Sequence, residues 1–469
     1  MKKSFLGEFE RNSLIVFSIS MLSNVINYLY QIIMGNLLSP SDYGLVNTLL
    51  SLSIVAGVPS GIFSALTATY TAKYHAQGDT GSIAVFMRKM FRVSMLFSVL
   101  FFFVSIPVSI PVASILQIDH PVYVVGVMLV VAISCVAPTF SCTLQGIKRF
   151  VPYSFNTVLT VFARLLLSAG LVLAGWTISG PLMGMILSSL LAIAFCIYKV
   201  RDLFFAPVKE NLALDRTEIR RYFVSTFWFQ MFLLLMANGD VLLIKTFAAD
   251  PAEVGIYSSG SVIGKISLYL ANAIVPVLLP MVAERQSTGH DTRQLLKRAM
   301  LWGGGVAMLC AVGMNVVGRP MIGLLFGERY LAAIDLLLPI SFYVVPVACL
   351  TILINYLMPL GRSGFFAVSM AAGYLLIFVL VSRFHHSVAQ MLYIMGGGLL
   401  LVLGFCTLRR ENTPLRWCYI LSLASLAVRG ACIVLAALPV ETGLAPAYVN
   451  IALLQVLYVC LWRGMNGLW

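Results

Sequence analysis

Charged residues are scarce in this 469-residue chain, and their scarcity excludes an ordinary soluble domain. Only 10% of the residues are Asp, Glu, Lys or Arg, whereas 60% are hydrophobic; soluble domains average about 25% charged residues. The net charge of +13 does not indicate a nucleic-acid partner, because the basic residues recur at alternate breaks between apolar stretches, as membrane topology requires. The composition therefore predicts an all-α polytopic membrane protein.

Motifs for catalysis and for metal or nucleotide binding are also missing. The nine cysteines include no C-x-x-C pair, and the five histidines are scattered along the chain. There is no G-x-x-x-x-G-K-[ST] segment, which is the motif that holds ATP phosphates in P-loop proteins. We therefore expect no enzyme, no metal and no cofactor, and we expect the cysteines to be buried packing residues.

About fourteen apolar segments are long enough to cross a membrane, since a spanning helix needs ~20 residues. The lysines and arginines of the intervening breaks fall mostly on one side, which places both termini in the cytoplasm. The predicted spans are residues 12–38, 43–70, 91–116, 121–146, 153–175, 179–199, 223–248, 254–283, 299–326, 332–360, 365–383, 388–408, 415–437 and 446–466.

A short motif occurs twice in the chain. Pro40, Asp42 and Gly44 follow the first span, and a proline, an acid and a glycine follow the seventh span 211 residues later, in the segment 251–255. Six spans separate the copies, so both insert with the same orientation, as parallel repeats do. The sequence predicts two parallel six-helix lobes around a central cavity.

The repeat defines the predicted domains. Residues 1–199 form the N-terminal lobe, residues 200–222 a cytoplasmic linker and residues 223–408 the C-terminal lobe. The last two spans, within residues 409–469, lie outside the repeat.

The first span carries one polar stripe. Ser20, Asn24, Asn27 and Gln31 are spaced four, three and four residues apart, which places them on one face of a helix. Their hydroxyls and amides suit sugar hydroxyls in a cavity. The alternative is hydrogen bonding between helices, which uses the same residue types.

Four charged residues lie deep inside apolar spans, where charges mark substrate or ion pathways by default. The three cations suit an anionic cargo such as a diphosphate, and arginine in particular makes bidentate phosphate contacts. The acid lies at a depth similar to that of one lysine on the next helix, so an ion pair is expected; that pair is a structural bridge or a coupling site. These residues are Arg164, Lys265, Arg429 and Asp240. Lys245 and Arg319, near the outer ends of their spans, are expected to reach the membrane interface.

Three segments carry a resemblance to a known family. The turn from Pro40 to Gly44, the run from Leu325 to Ala333 and the segment 276–280 are similar to the polysaccharide-transport family of the multidrug/oligosaccharidyl-lipid/polysaccharide exporter superfamily. The resemblance covers nearly the whole chain, including the number of spans.

This resemblance implies a flippase in the inner membrane of a bacterium. Such proteins move a polyprenyl-pyrophosphate-linked oligosaccharide from the inner to the outer leaflet by alternating access. It also implies a lipid-tail groove in the last two spans, as in peptidoglycan-precursor flippases, and partners such as a polysaccharide polymerase or a glycosyltransferase.

Three alternatives stay open. A peptidoglycan-precursor flippase is the nearest, and an exporter of a free polysaccharide chain is another. A cation-coupled multidrug extruder is disfavoured, because such transporters are expected to carry buried acids in the N-terminal lobe, where this chain has Arg164.

Overall fold

A computed structural model describes residues 2–204, 216–275, 291–357 and 363–408, together with five single positions between 276 and 290. The described backbone is almost entirely helical and contains no strand. The predicted thirteenth and fourteenth spans, Arg429 and residues 205–215 of the predicted linker lie outside the described residues.

Fourteen α-helices and one 3-10 helix are defined within these ranges. In the first half they are α1 (Lys2–Leu37), α2 (Pro40–Ala56), α3 (Val58–Ala76), α4 (Thr80–Ile115), α5 (Pro121–Val136), α6 (Pro138–Gly146), α7 (Phe150–Leu173) and α8 (Ser179–Phe204). In the second half they are α9 (Arg216–Phe247), α10 (Pro251–Asn272), α11 (Arg293–Phe326), the 3-10 helix (Glu328–Leu336), α12 (Leu337–Leu357), α13 (Ser363–Arg383) and α14 (Val388–Leu408).

These helices match the first twelve predicted spans in order. Seven are long and apolar enough to cross a membrane, or eight if the bent pair of α2 and α3 counts as one span. The fold is therefore that of an all-α multi-pass membrane protein, which confirms the predicted class.

Two of the predicted spans contain an interruption, which the apolar pattern did not indicate. The segment 43–70 divides at Gly57, where α2 and α3 meet at an angle of 46°. The segment 121–146 remains one span, but it is interrupted at Ala137, just before Pro138. A proline has no amide hydrogen to donate within a helix and clashes with the preceding turn, and each break is followed at once by a proline, Pro59 or Pro138.

The repeat extends to the helix boundaries. Helices α2 and α10 begin 211 residues apart, at Pro40 and Pro251. The starts of α4 and α11 differ by 213 residues, those of α7 and α13 by 213, and those of α8 and α14 by 209. An offset of 211 thus aligns the starts of these four helix pairs within two residues, as expected after a duplication.

The repeated motif starts a helix in the same way in both copies. Ser39 caps α2 by accepting the amide hydrogen of Asp42 at 3.1 Å, and Asp250 caps α10 by accepting that of Ala252 at 2.8 Å. A proline in the first turn and an acid near the helix N-terminus both favour helix initiation. The motif is therefore explained by local helix chemistry.

The next turn shows the same capping chemistry. Asp79 caps α4, and its carboxylate accepts hydrogen bonds from the Ser82 hydroxyl at 2.5 Å and the Ser82 amide at 2.9 Å. These bonds, the hydroxyl first, hold the pKa of Asp79 below its usual value. The exposed turn after α3 is thereby fixed.

The chain folds as two compact units, Met1–Leu234 and Leu235–Trp469, with the division inside α9. The first unit contains a core of side chains from α3, α4 and α5, including Ile62, Phe86 and Val131. The predicted lobe boundaries at residues 199 and 223 stay predictions.

Candidate functional site

The first unit holds a partly buried cation, Arg164, in the seam between α1 and α7. Arg164 lies at the middle of α7, and its Nη2 group donates a hydrogen bond to the Oδ1 atom of Asn27 on α1. Its guanidinium carbon also lies 4.6 Å from the centre of the Tyr30 ring, a cation–π distance. One member of the predicted polar stripe therefore contacts the predicted cation.

Among the described residues, this guanidinium has no acid to balance it. Within the described ranges no carboxylate lies within 4 Å of Arg164, and its Nε atom is buried without a hydrogen-bond partner. The Tyr30 hydroxyl and the Ser168 hydroxyl, one turn along α7, are also buried and lie close enough to interact with each other. Since buried polar groups are normally satisfied, this seam contains unused hydrogen-bonding capacity next to a positive charge.

The α7 face around Arg164 is more polar than the sequence analysis recognised. Asn156, Thr160, Arg164 and Ser168 follow one another at four-residue spacing. The Asn156 Oδ1 atom is also buried without a hydrogen-bond partner. That four-residue spacing was visible in the sequence, but the partner helix α1 lies 137 residues away at the Arg164–Asn27 contact.

The other residues of the predicted polar stripe on α1 have different environments. Gln31 accepts a hydrogen bond at 3.2 Å from Tyr43 of α2. Asn24 is exposed. The side chain of Ser20 lies outside the described side chains. The stripe therefore includes one contact to Arg164 and one contact between helices.

The second unit contains the ion pair that the sequence predicted. Lys265 Nζ on α10 lies 3.3 and 3.4 Å from the two carboxylate oxygens of Asp240 on α9. The Asp240 carboxylate also accepts hydrogen bonds from Tyr257 at 2.5 Å and Ser261 at 3.4 Å. The carboxylate is fully buried, whereas the lysine side chain is 15% exposed.

The surroundings of Asp240 are rich in tyrosine. Tyr343 of α12 donates to the Met236 carbonyl at 2.5 Å, one turn before Asp240. Tyr343 and Tyr374 also lie close enough to Asp240 to sense its charge. The site is therefore a packed cluster in which an ammonium and hydroxyl donors compensate one acid.

Arg164 and Lys265 therefore differ in electrostatic balance. Lys265 and Asp240 neutralise each other within one unit, whereas Arg164 keeps an uncompensated charge. Arg429, the third predicted cation, lies outside the described residues. The expected roles of these residues in binding stay predictions.

One prediction about the charged residues is wrong. Lys245, expected to reach the membrane interface, is buried with 5% of its surface exposed. Its distance from the helix end is short, but the neighbouring helices cover it. Arg319 is exposed, as expected for a residue near the end of a span.

The described residues also contain information on metal binding and on the cysteines. No group of three or more His, Cys, Asp or Glu residues suited to a metal occurs in the described part of the chain. Cys135, Cys142, Cys196 and Cys349 are buried and free, in agreement with a packing role.

Charged residues inside membrane-spanning helices mark substrate or ion pathways by default, so the fold and these residues point to a membrane transporter. The polysaccharide biosynthesis protein family matches residues 33–335, which is more than half of the 469 residues. The chain belongs to this family.

Solved structures of one superfamily share the fold. An inward-facing multidrug resistance MATE transporter of the MOP superfamily matches with a TM-score of 0.65 and 12% identity, over 85% of this chain and 99% of that chain. The lipid II flippase MurJ, in an inward closed conformation, matches with a TM-score of 0.63 and 12% identity, over 96% of this chain and 98% of that chain.

A third structure extends the range of relatives. A MOP superfamily transporter from Pyrococcus furiosus matches with a TM-score of 0.57 and 14% identity, over 85% of this chain and 93% of that chain. A comparison with curated proteins found no match. Identities this low establish a shared fold, and the family match confirms the predicted polysaccharide family.

Proposed function

We propose that the protein is a flippase that moves a polyprenyl-pyrophosphate-linked oligosaccharide across the membrane for cell-surface polysaccharide assembly. The observation that carries the proposal is the uncompensated charge of Arg164 beside unused hydrogen-bonding groups. An anionic diphosphate would supply the missing counter-charge. Membership of a polysaccharide biosynthesis family supports a glycan as the cargo.

The chemistry of the Arg164 seam suits a diphosphate. A buried cation at the bilayer centre costs roughly 2.5–3.5 kcal/mol on insertion scales, so an arginine without an acid is retained at a cost in stability. Guanidinium groups make short, strong hydrogen bonds to phosphate oxygens. Neighbouring hydroxyl and amide groups on α1 and α7 are of the kind that binds sugars.

The driving force does not require a nucleotide. With the inside negative, moving two negative charges outward is favoured by about 4.6 kcal/mol at 100 mV. The proposal therefore includes no enzymatic step. It places the protein in the inner membrane with cytoplasmic termini, and transport occurs by alternating access between the leaflets. A polymerase or a glycosyltransferase is the proposed type of protein partner.

Two further candidates rest on the comparisons. The likeness to a lipid II flippase covers 96% of this chain, against 85% for the MATE transporter, which favours lipid-linked cargo and keeps a peptidoglycan precursor as the second candidate. A cation extruder is less suitable, because the charge in the described α1–α7 seam is positive and a cationic drug would be repelled.

The proposal is tested by glycan export in cells that lack their own flippase. The variant Arg164→Ala should reduce surface glycan and leave lipid-linked intermediate inside the cell, at normal protein abundance. Charge-assisted hydrogen bonds contribute about 1.5–3 kcal/mol, so we expect a loss of roughly 10- to 100-fold in apparent affinity. Arg164→Lys should keep partial activity, since it retains the charge but not the planar fork.

The matched control is Arg319→Ala, which removes an exposed arginine from α11 and should leave export unchanged. Normal export by Arg164→Ala at normal abundance would refute a diphosphate contact at this residue. Accumulation of a peptidoglycan precursor, instead of a surface-glycan precursor, would move the assignment to the second candidate.

A further inference from the structure

The last turns of α8 hold two cations around one exposed aromatic ring. The guanidinium carbon of Arg201 lies 4.8 Å from the centre of the Tyr198 ring, and Lys199 Nζ lies 5.5 Å from the same ring. Lys199 also lies 5.6 Å from the ring of Phe195. Stacking of this kind holds the two like charges close together.

Neither cation has an acidic partner within the described residues. The ion pairs found in the described chain involve other cations. The nearby acid, Asp202, is bound instead by Arg149 at 3.2 Å. Arg149 also donates to the Lys199 carbonyl at 3.2 Å, so the turn before α7 is tied to the end of α8.

The residue before Arg149 adds a third free cation. Lys148 is exposed and has a backbone φ of 60°, in the left-handed region that favours glycine. This conformation closes the C-terminal cap of α6, in which the Arg149 amide donates to the Leu144 carbonyl at 2.9 Å and the Lys148 amide to the Gln145 carbonyl at 3.1 Å, and it leaves the lysine side chain at the surface. Four cations and one acid therefore meet here, a net charge of +3: Lys148, Arg149, Lys199, Arg201 and Asp202.

An apolar wall adjoins these charges. Phe155 of α7 and Phe195 of α8 lie 5.2 Å apart between ring centres. Phe155 is 53% exposed and Tyr198 is 58% exposed, although both rings lie at the ends of spanning helices. Exposed aromatic rings beside cations at the end of a span are typical of the membrane interface.

We infer that this surface, formed by Lys148, Lys199, Arg201, Tyr198, Phe195 and Phe155, binds the phosphate headgroup of an anionic phospholipid. The cations contact the phosphate, and the rings pack along the glycerol and the upper acyl chains. Basic pockets between membrane helices bind anionic headgroups in this way. The site lies apart from Arg164 in the chain and does not depend on the identity of the cargo.

The test measures binding of phosphatidylglycerol to the detergent-purified full chain by native mass spectrometry. The double variant Lys199→Gln/Arg201→Gln should weaken binding by roughly 10- to 30-fold, because each cation in contact with the headgroup contributes a factor of about 5 to the attraction by anionic lipid. Tyr198→Ala should weaken it also, whereas Tyr198→Phe should retain it. Because these side chains are exposed, the variants should fold normally, which size-exclusion chromatography checks.

The matched control is Lys73→Gln/Arg92→Gln, which removes two exposed cations from α3 and α4. It should change binding less than 3-fold. An equal loss in the control would show diffuse attraction to net charge and would overturn the site. Binding of phosphatidylcholine as tight as that of phosphatidylglycerol would also overturn it.

A second arm separates phospholipid from the isoprenoid diphosphate of a cargo. Farnesyl diphosphate is added as a competitor at equal concentration. We expect it to leave bound phosphatidylglycerol largely in place. Displacement of the phospholipid by this compound, with loss of its binding in Lys199→Gln/Arg201→Gln, would assign the surface to the diphosphate and contradict our inference.

Discussion

Asp240 and Arg164 show that the neighbours of a charged residue determine its role. Asp240 is buried against an ammonium and two hydroxyl donors, which is the environment of a structural ion pair. Arg164 is held by a neutral amide and an aromatic ring, which leaves its charge available. The roles therefore follow from the partners, because both residues lie in apolar spans.

Removing only the acid of the Asp240–Lys265 pair should destabilise the protein. Asp240→Asn leaves a buried lysine without a counter-ion, a change that typically costs about 3–5 kcal/mol in soluble proteins. The double variant Asp240→Asn/Lys265→Met should restore abundance, because it removes both charges. Thermal unfolding in detergent measures each variant, with Tyr257→Phe as a milder control that loses one hydrogen bond.

The coupling interpretation gives the opposite pattern. If Asp240 carries a proton during transport, Asp240→Asn should be as stable as the wild type and inactive. That result would refute the structural role, and a stable and fully active Asp240→Asn protein would refute both roles.

Among the helices, the two breaks in the first unit are joined by one side chain. The Ser60 hydroxyl of α3 donates to the Ser134 carbonyl of α5 at 2.7 Å. In a continuous helix that carbonyl would accept the amide hydrogen of residue 138, but Pro138 has none. Ser60 therefore replaces the donor that the proline removes.

Ser60→Ala should leave the Ser134 carbonyl unsatisfied and destabilise the protein by about 1 kcal/mol. Adding Pro138→Ala should recover part of this loss, because an alanine restores the amide donor within the helix. The control Thr157→Ala removes a hydroxyl that bonds only to its own helix, at the Tyr153 carbonyl, and should have little effect. Melting temperatures that show no recovery in the double variant would contradict the donor replacement.

The packing of α7 on α8 depends on a glycine. A Cβ atom at Gly184 would lie 2.9 Å from the Ser168 amide nitrogen and 3.1 Å from its Cα atom, closer than packed atoms allow. Gly184→Ala should therefore separate the helices, lower the melting temperature and reduce transport through Arg164. Gly170→Ala on α7 meets no atom within 4 Å and should be neutral or slightly stabilising, since alanine favours helix; equal melting temperatures for the two variants would contradict this packing role.

Across the whole molecule, the predicted topology needs its own test. We predict that residues 200–222 and 409–416 are cytoplasmic and that residues 249–253 and 382–388 are external. In a cysteine-free background, a single cysteine at exposed His386 should react with an impermeant reagent in intact cells, and one at exposed Gln77 should not. Labelling at Gln77 would reverse the orientation.

The sequence predicted the helix order, the repeat and the Asp240–Lys265 pair, because each depends on hydropathy, spacing or depth along one chain. It did not predict the helix breaks, since prolines are tolerated in membrane helices. Pro107, Pro111 and Pro346 lie inside unbroken helices, whereas Pro138 follows a break. Only packing distinguishes these cases.

The site was predicted less completely than the fold. Arg164 contacts Asn27 and Tyr30 across a seam between two helices that are far apart in the sequence. Spacing along one helix reveals a polar face but not the helix that covers it. The burial of Lys245 was missed for the same reason, because neighbouring helices determine it.

The central claim is that Arg164 binds an anionic lipid-linked cargo during its transfer between leaflets. The most direct measurement is the flipping of a fluorescent polyprenyl-diphosphate-linked oligosaccharide by purified protein in liposomes. Wild-type protein should flip it, Arg164→Lys should be slower and Arg164→Ala should be slowest, on the order of 10- to 100-fold below wild type. Equal flipping rates for wild type and Arg164→Ala, at matched protein content, would contradict the claim.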